Sequence, residues 1–113
     1  MTELDVREQA RFEESVGIVP EFIDGYGILI LPTTGSYFHL PYRTLLAKGV
    51  ENLISAGRIT GGDKVSHAAT RNMMCCTVTD QAAGTAAALS VKRNERFEDL
   101  SVTALQGEQA PRR

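Results

Sequence analysis

Met73-Met74-Cys75-Cys76-Thr77-Val78-Thr79-Asp80-Gln81-Ala82-Ala83-Gly84-Thr85-Ala86-Ala87-Ala88-Leu89-Ser90-Val91-Lys92 is the stretch whose reading decides the fold. It holds no proline and is rich in helix formers, so it predicts one continuous helix of about five turns. Its markedly polar members before Lys92 are Asp80, Gln81 and a few threonines. A helix that is apolar or small almost all round belongs inside a protein body. It is too polar in its middle to span a membrane. The small side chains at Ala82, Ala83, Gly84, Ala86 and Ala87 imply close backbone approach by another element.

Upstream, Thr2 to Ser15 reads as a surface helix capped by Thr2, with Glu3 and Asp5 at its positive end and Gly17 closing it. Its apolar stripe is thin: Val6 with Ala10, and Phe12 with Val16. Ile18 to Ile23, interrupted by Pro20, suits an edge strand, and Asp24-Gly25 marks a turn. Ile28 to Leu31 and Tyr37 to Leu40 read as an antiparallel hairpin joined through Pro32, Thr33, Thr34 and Gly35. Asn52 to Ala56 is expected as the next strand, closed by Gly57. Lys64 to Arg71 is expected as a short helix capped by Asp63. After the long helix come a turn or strand near Phe97, a short helix from Ser101 and a frayed tail.

Composition excludes several function classes. The chain has 113 residues, 42% apolar and 23% charged, with a formal charge of −2. That is ordinary for a soluble domain and gives no basic face for nucleic acid. No apolar leader precedes Glu14, so the default compartment is the cytoplasm, with no membrane attachment. Cys75 and Cys76 are adjacent, which disfavours a disulfide between them, and no His or Cys cluster supports a metal. They read best as small hydrophobes at the helix start.

A helix buried on most faces needs neighbours on most faces. One hairpin, one short strand and a thin amphipathic helix supply little apolar material to surround it. Either the helix evolved inside a larger body, or the chain is a compact α+β domain or homodimer that buries the same faces.

Three runs narrow the choice: Pro41 to Arg58, Gly62 to Met74, and Gln81-Ala82-Ala83-Gly84-Thr85-Ala86-Ala87-Ala88. In this order and spacing they resemble the C-terminal part of the FAD-dependent oxidoreductase family, which shares a fold with fumarate-reductase-type flavoproteins. The resemblance covers Leu40 to Leu89, and the upstream hairpin is similar to the family's substrate-domain strands. The fold it implies is an α+β or α/β fragment: an antiparallel hairpin from a substrate domain, then a strand and a buried helix of an FAD-binding domain. The corresponding division is 1–17 as a surface helix, 18–47 as the hairpin segment, 48–92 as the FAD-binding segment and 93–113 as the tail.

The resemblance further implies that FAD is the cofactor and that Gly57, Arg58, Gly62, Asp63, Arg71, Met73 and Met74 face it. Gly57 would let backbone come near the cofactor, and Asp63 would accept hydrogen bonds from ribityl hydroxyls. The start of the long helix, near Met73 and Met74, would aim N–H groups at the flavin edge that gains negative charge on reduction. Arg71 would add a formal positive charge there, facing flavin or substrate, and His67 and Arg71 are the candidate catalytic residues, His67 as a proton donor or acceptor. The family's phosphate-binding Gly-x-Gly-x-x-Gly does not occur; Gly25 and Gly27 lack the third glycine and the helix. Half a binding site is therefore implied, with a missing N-terminal FAD-binding half or a separately encoded subunit as partner. The whole enzyme would act on a small organic substrate, and this chain alone would be inactive. Asp80 stands where the family's pattern has Gly, which would be costly if that face were packed.

Each of these readings has a plainer rival. Arg58 also reads as a solvated strand-end arginine, Asp63 as an N-cap alone, and Arg71 as one arm of a surface salt bridge. His67 reads as a structural histidine, and His39 as a surface-facing strand residue. At the level of the chain, the rival is a non-catalytic α+β module that docks through its apolar helix.

Overall fold

The computed structural model describes residues 1–20, 23–25, 27–30 and 35–110. Pro32, Thr33 and Thr34 of the expected hairpin loop, and the end of the tail, lie outside the described residues. The fold is small α+β, built from two antiparallel strand pairs and several helices.

The first helix, α1, spans Glu3–Arg7 and opens on a reciprocal cap between Thr2 and Asp5. It is much shorter than the helix expected over Thr2 to Ser15. Gln9 turns left-handed at φ 53°. The next residues then join the sheet edge: the His39 N–H donates to the Ala10 carbonyl at 2.9 Å. The Phe12 N–H donates to His39 Nδ1 at 3.1 Å. The Arg11 guanidinium lies over the Tyr37 ring. Tertiary pairing overrides helix propensity here, as expected where the apolar stripe is thin.

Strand β1 is Ser15–Pro20, β2 is Ile23–Gly25, β3 is Ile28–Ile30 and β4 is Tyr37–Pro41. The pairing differs from the expected hairpin: β3 pairs with β2, and β4 pairs with β1, aligning Val19 with Phe38 and Ile18 with His39. Val19 and Phe38 are buried while Ile18 is exposed. The alternation of β1 and β4 thus gives the sheet one core face and one outer face. Gly27, at φ 77°, serves the short turn between β2 and β3.

Asn52 to Ala56 does not form the expected strand. Asn52 is left-handed at φ 53°, and the segment makes a single bridge, Leu46 to Ile54. A 3-10 turn, Gly57–Ile59, follows. Helix α2, Lys64–Thr70, starts on Asp63 as expected. Helix α3 spans Met73–Arg93 and stops at Asn94 in the left-handed conformation. The tail holds a 3-10 turn at Phe97–Asp99 and helix α4, Val102–Gln109, capped by Ser101.

The core gathers Val16, Val19, Phe38, Leu40, Leu45, Leu100 and Leu105 around one stripe of α3: Cys75, Thr79, Ala82, Ala86 and Leu89. Tyr42 closes one end, its hydroxyl donating to the Phe97 carbonyl at 3.0 Å. Burial, aided by the nearby Glu98 charge, pushes that phenol up to about 12. The expectation that α3 is buried on most faces is met on this stripe alone. Asp80, Gln81, Gly84 and Ala88 are exposed, and Val91 is 85% exposed. A Cβ at Gly84 would meet nothing, whereas one at Gly17 of β1 would overlap Val78 of α3. The close backbone approach therefore occurs at Gly17, and Asp80 stays in solvent without a burial cost. Among the described residues no helix is long and apolar enough to cross a membrane.

Candidate functional site

A half-open cleft of about 350 Å³ lies where β1, the Gly57 turn, the end of α2 and the start of α3 converge. Val19, Pro20, Arg58, Ala69, Arg71, Asn72, Met73 and Met74 line it. Four expected cofactor-facing residues, Arg58, Arg71, Met73 and Met74, are thus brought together from three segments.

Local sequence explains how they arrive. Gly57 adopts φ 79°, the left-handed region that glycine enters without strain, and so aims the next residue, Arg58, at the cleft. Arg58 is exposed, and its guanidinium makes no hydrogen bond or ion pair among the described residues. Arg71 ends α2, its N–H donating to the His67 carbonyl at 3.1 Å. A Cβ on Gly25 would lie 3.3 Å from Arg71 Nη2, so the small residue in β2 leaves room for the guanidinium. Asn72 is extended and begins α3, yet its side chain does not cap the helix; its amide donates backwards to the Ala68 carbonyl at 3.3 Å. Met73 and Met74 are 78% and 62% exposed, which places two thioether side chains at the mouth.

Gly62 and Asp63 stand elsewhere, at the start of α2. Asp63 accepts the Ser66 N–H at 2.8 Å and the Glu3 N–H at 2.7 Å. These backbone donors hold its carboxyl below the usual carboxylate range, the Ser66 bond first. A Cβ on Gly62 would overlap Ser66 Oγ and approach the Met1 carbonyl. This pair ties α2 to α1 and does not line the cleft. Gly57 lies behind the lining, its N–H donating to Thr79 Oγ1 at 2.9 Å. His67 is half-buried on α2 and does not line the cleft either.

Cys75 is fully buried, and burial followed by the neighbouring Cys76 pushes its thiol up to about 12. That is the environment of an inert packing residue. Among the described residues no cluster of three or more His, Cys, Asp or Glu could hold a metal. A second groove, about 530 Å³ and bordered by Asp80, Gln81, Gly84, Lys92 and Glu108, carries none of the expected residues.

Three residues that build the cleft escaped the reading of the sequence. Val19 and Pro20 form one wall, and Thr79 anchors the Arg58 turn. Nothing in their local sequence marks them, since their roles depend on which segments pack together.

The sequence model of the FAD dependent oxidoreductase family matches residues 1–109. The chain belongs to that family. The match extends well beyond Leu40 to Leu89, the stretch on which the resemblance rests. No curated protein and no solved structure matches the chain. FAD is the cofactor of this flavoprotein family.

The cleft can be tested against that cofactor on chemical grounds. Two guanidiniums, a helix start that Asn72 leaves uncapped and apolar walls suit a flat ring edge that carries or gains negative charge. The ring half of FAD therefore fits.

Proposed function

We propose that this chain is the isoalloxazine-facing, C-terminal portion of an FAD-dependent oxidoreductase acting on a small organic substrate. The observation that carries the reading is the convergence of Arg58, Arg71 and the uncapped start of α3 on one cleft. In this reading 18–47 derives from the substrate domain and 48–92 from the FAD-binding domain. The 1–17 segment packs against them, with Val6 and Val16 in the shared core, and 93–113 is the tail.

When bound, FAD supplies the two-electron redox chemistry. The chain's own residues prepare its environment. The first-turn N–H groups of α3 and the positive end of its dipole favour charge that develops at the ring edge. Arg58 and Arg71 add two formal charges, and the half-open cleft strengthens them by excluding part of the solvent. Met73 and Met74 offer polarizable contact to an aromatic face. His67, two residues before the cleft-lining Ala69, is proposed as the proton-handling group, with Arg71 orienting the substrate. Gly62 and Asp63 serve the fold, fixing the start of α2 away from the cleft. The diphosphate half of FAD is assigned to a partner that supplies the Gly-x-Gly-x-x-Gly turn, either a missing N-terminal half or a separate subunit in the cytoplasm. The chain alone is accordingly inactive.

The test is an FAD titration followed by flavin fluorescence, with and without a co-expressed nucleotide-binding half. Saturable binding only with the other half is the expected result, weakened in Arg58→Ala and Arg71→Ala. Saturable binding by the chain alone would overturn the half-site reading. No binding in either case would favour a second reading, a non-catalytic module docking through α3. That reading rests on the exposure of Met73, Met74 and Val91 along the outer side of the helix.

A further inference from the structure

Three threonines of α3 bond to carbonyls of their own helix, but they do so in different settings. Thr77 Oγ1 donates to the Met73 carbonyl at 3.0 Å and Thr85 Oγ1 to the Gln81 carbonyl at 2.8 Å. Both bonds are local and lie toward solvent, as helix threonines commonly arrange themselves. Thr79 is fully buried. Its hydroxyl donates to the Cys76 carbonyl at 2.8 Å and also accepts the Gly57 N–H at 2.9 Å. That second bond joins the helix to a segment 22 residues away in sequence.

The segment it holds is the turn that carries Arg58. Gly57 sits at φ 79°, and its carbonyl accepts the Thr60 hydroxyl at 3.1 Å, so the turn is closed on itself and fastened to α3 through one N–H. Cys76, whose carbonyl takes the Thr79 proton, also places its thiol 3.8 Å from the Arg71 carbonyl. One turn of α3 thereby touches the backbone of both cation-bearing segments. Arg58 has no partner among the described residues to fix it, so its position follows from the turn beneath it.

We propose that Thr79 is a positioning residue: by bonding the Gly57 amide it sets where the Arg58 guanidinium stands relative to Arg71 and the start of α3. The proposal rests on the reading of the cleft as flavin-facing. Thr79 does not line the cleft. A hydrogen bond fixes a charge more sharply than apolar packing would, and small displacements of a charge in a partly dry site change what it stabilises.

The experiment is a double-mutant cycle on the full chain, read as FAD affinity, with the nucleotide-binding half added if saturation needs it. Thr79→Val keeps the volume and removes the acceptor. It is expected to weaken FAD about three- to tenfold, the range for one lost hydrogen bond. Thr79→Ser should restore affinity. In the Arg58→Ala background, Thr79→Val should cause no further loss, because its effect travels through Arg58. Equal losses in both backgrounds would overturn the proposal, as would a Thr79→Ser variant as weak as the valine. If the valine variant does not fold, Thr79→Cys, a weaker acceptor of similar size, takes its place. The contact is also read without flavin, by amide exchange at Gly57. Exchange that speeds in Thr79→Val and returns in Thr79→Ser sustains the anchoring role; exchange unchanged in both overturns it. Failure of the wild-type chain to bind FAD under any condition would sink the flavin-facing reading alone.

Discussion

Helices α2 and α3 follow one another with Arg71 and Asn72 between them, and their starts are finished in opposite ways. At α2, Asp63 accepts the Ser66 N–H at 2.8 Å and the Glu3 N–H at 2.7 Å, and Ser66 Oγ donates to the Met1 carbonyl at 3.1 Å. The Asp63 carboxylate and the Ser66 hydroxyl thus serve both the helix start and its joint to the N-terminal segment. At α3, Asn72 turns its amide back to the Ala68 carbonyl and leaves the first turn without a side-chain cap. Arg58 and Arg71 then flank that start across an open cleft. A carboxylate at a helix start is thus no guide to ligand binding when the chain's own amides already occupy it. The proposed site lies at the other start, where two arginines gather around the cleft.

The largest effect expected from breaking this contrast is on stability, at α2. Asp63→Ala removes the cap and the tie to Glu3 together, so its cost should reach the upper part of the capping range, about 2 kcal/mol. Urea unfolding at neutral pH measures it, and FAD affinity should not change. The same carboxyl sets a pH dependence whose sign follows from its lowered value in the fold. Its contribution is complete above the unfolded carboxyl's value, about 3.9. It is lost as pH falls further, through the folded value, because the unfolded chain binds the proton first. Asp63→Asn should lack that part of the acid sensitivity. An unchanged unfolding midpoint in Asp63→Ala would show that α2 does not depend on its cap.

A smaller effect is expected at the turn that feeds the cleft. Gly57→Ala meets no steric obstacle, since Asp80 Oδ1 would stand 3.9 Å from the new Cβ. The cost is the left-handed backbone alone, about 1 kcal/mol. Unlike the Asp63 variant, Gly57→Ala should lower both stability and FAD affinity, because the turn that alanine strains carries Arg58. A loss of stability with full affinity would separate the turn from the site.

What the residues disclose follows the same division. Local chemistry was legible: the Asp63 cap, the start of α4 at Ser101 and the long helix at Met73 all follow from side chains near their own backbone. The family was legible because its runs sit in α2, α3 and the turn before them. Pairing between distant segments was not. Arg11 and Phe12 leave the expected helix because His39 and Tyr37 capture them, and β4 takes β1 as its partner where adjacency favoured β3. The cover of α3 was over-read for a related reason. Composition records that a helix is apolar all round, but not which side its own chain covers. Here that side is the stripe from Cys75 to Leu89. Of the cleft's lining, Arg58, Arg71, Met73 and Met74 were picked out through the family pattern, while the Thr79 anchor was hidden because its bond to Gly57 exists only once α3 and the turn are packed.

The smallest effect on the fold, and the sharpest on the cleft, is expected from Asn72→Asp. Aspartate ranks with asparagine as a helix cap, so the exchange does not alter what the position can do for the backbone. It does remove the amide donor, and the Ala68 carbonyl loses the bond it receives at 3.3 Å. The carboxylate, which can only accept, should turn to the first-turn N–H groups of α3 and recover a comparable amount from the positive helix end. Stability should therefore stay within about 0.5 kcal/mol of the wild type. The cleft should not be spared. A negative charge placed between Arg58 and Arg71 competes with any electron-rich ring edge for the same cations and the same N–H groups. FAD affinity, measured by the fluorescence titration in whichever condition saturates the wild type, should fall about fivefold, near 1 kcal/mol. High salt should narrow the difference by screening the added charge. If affinity instead held steady while stability fell, the bond from Asn72 to Ala68 would be the position's main role. The two helix starts would then differ in who finishes them without differing in what they bind.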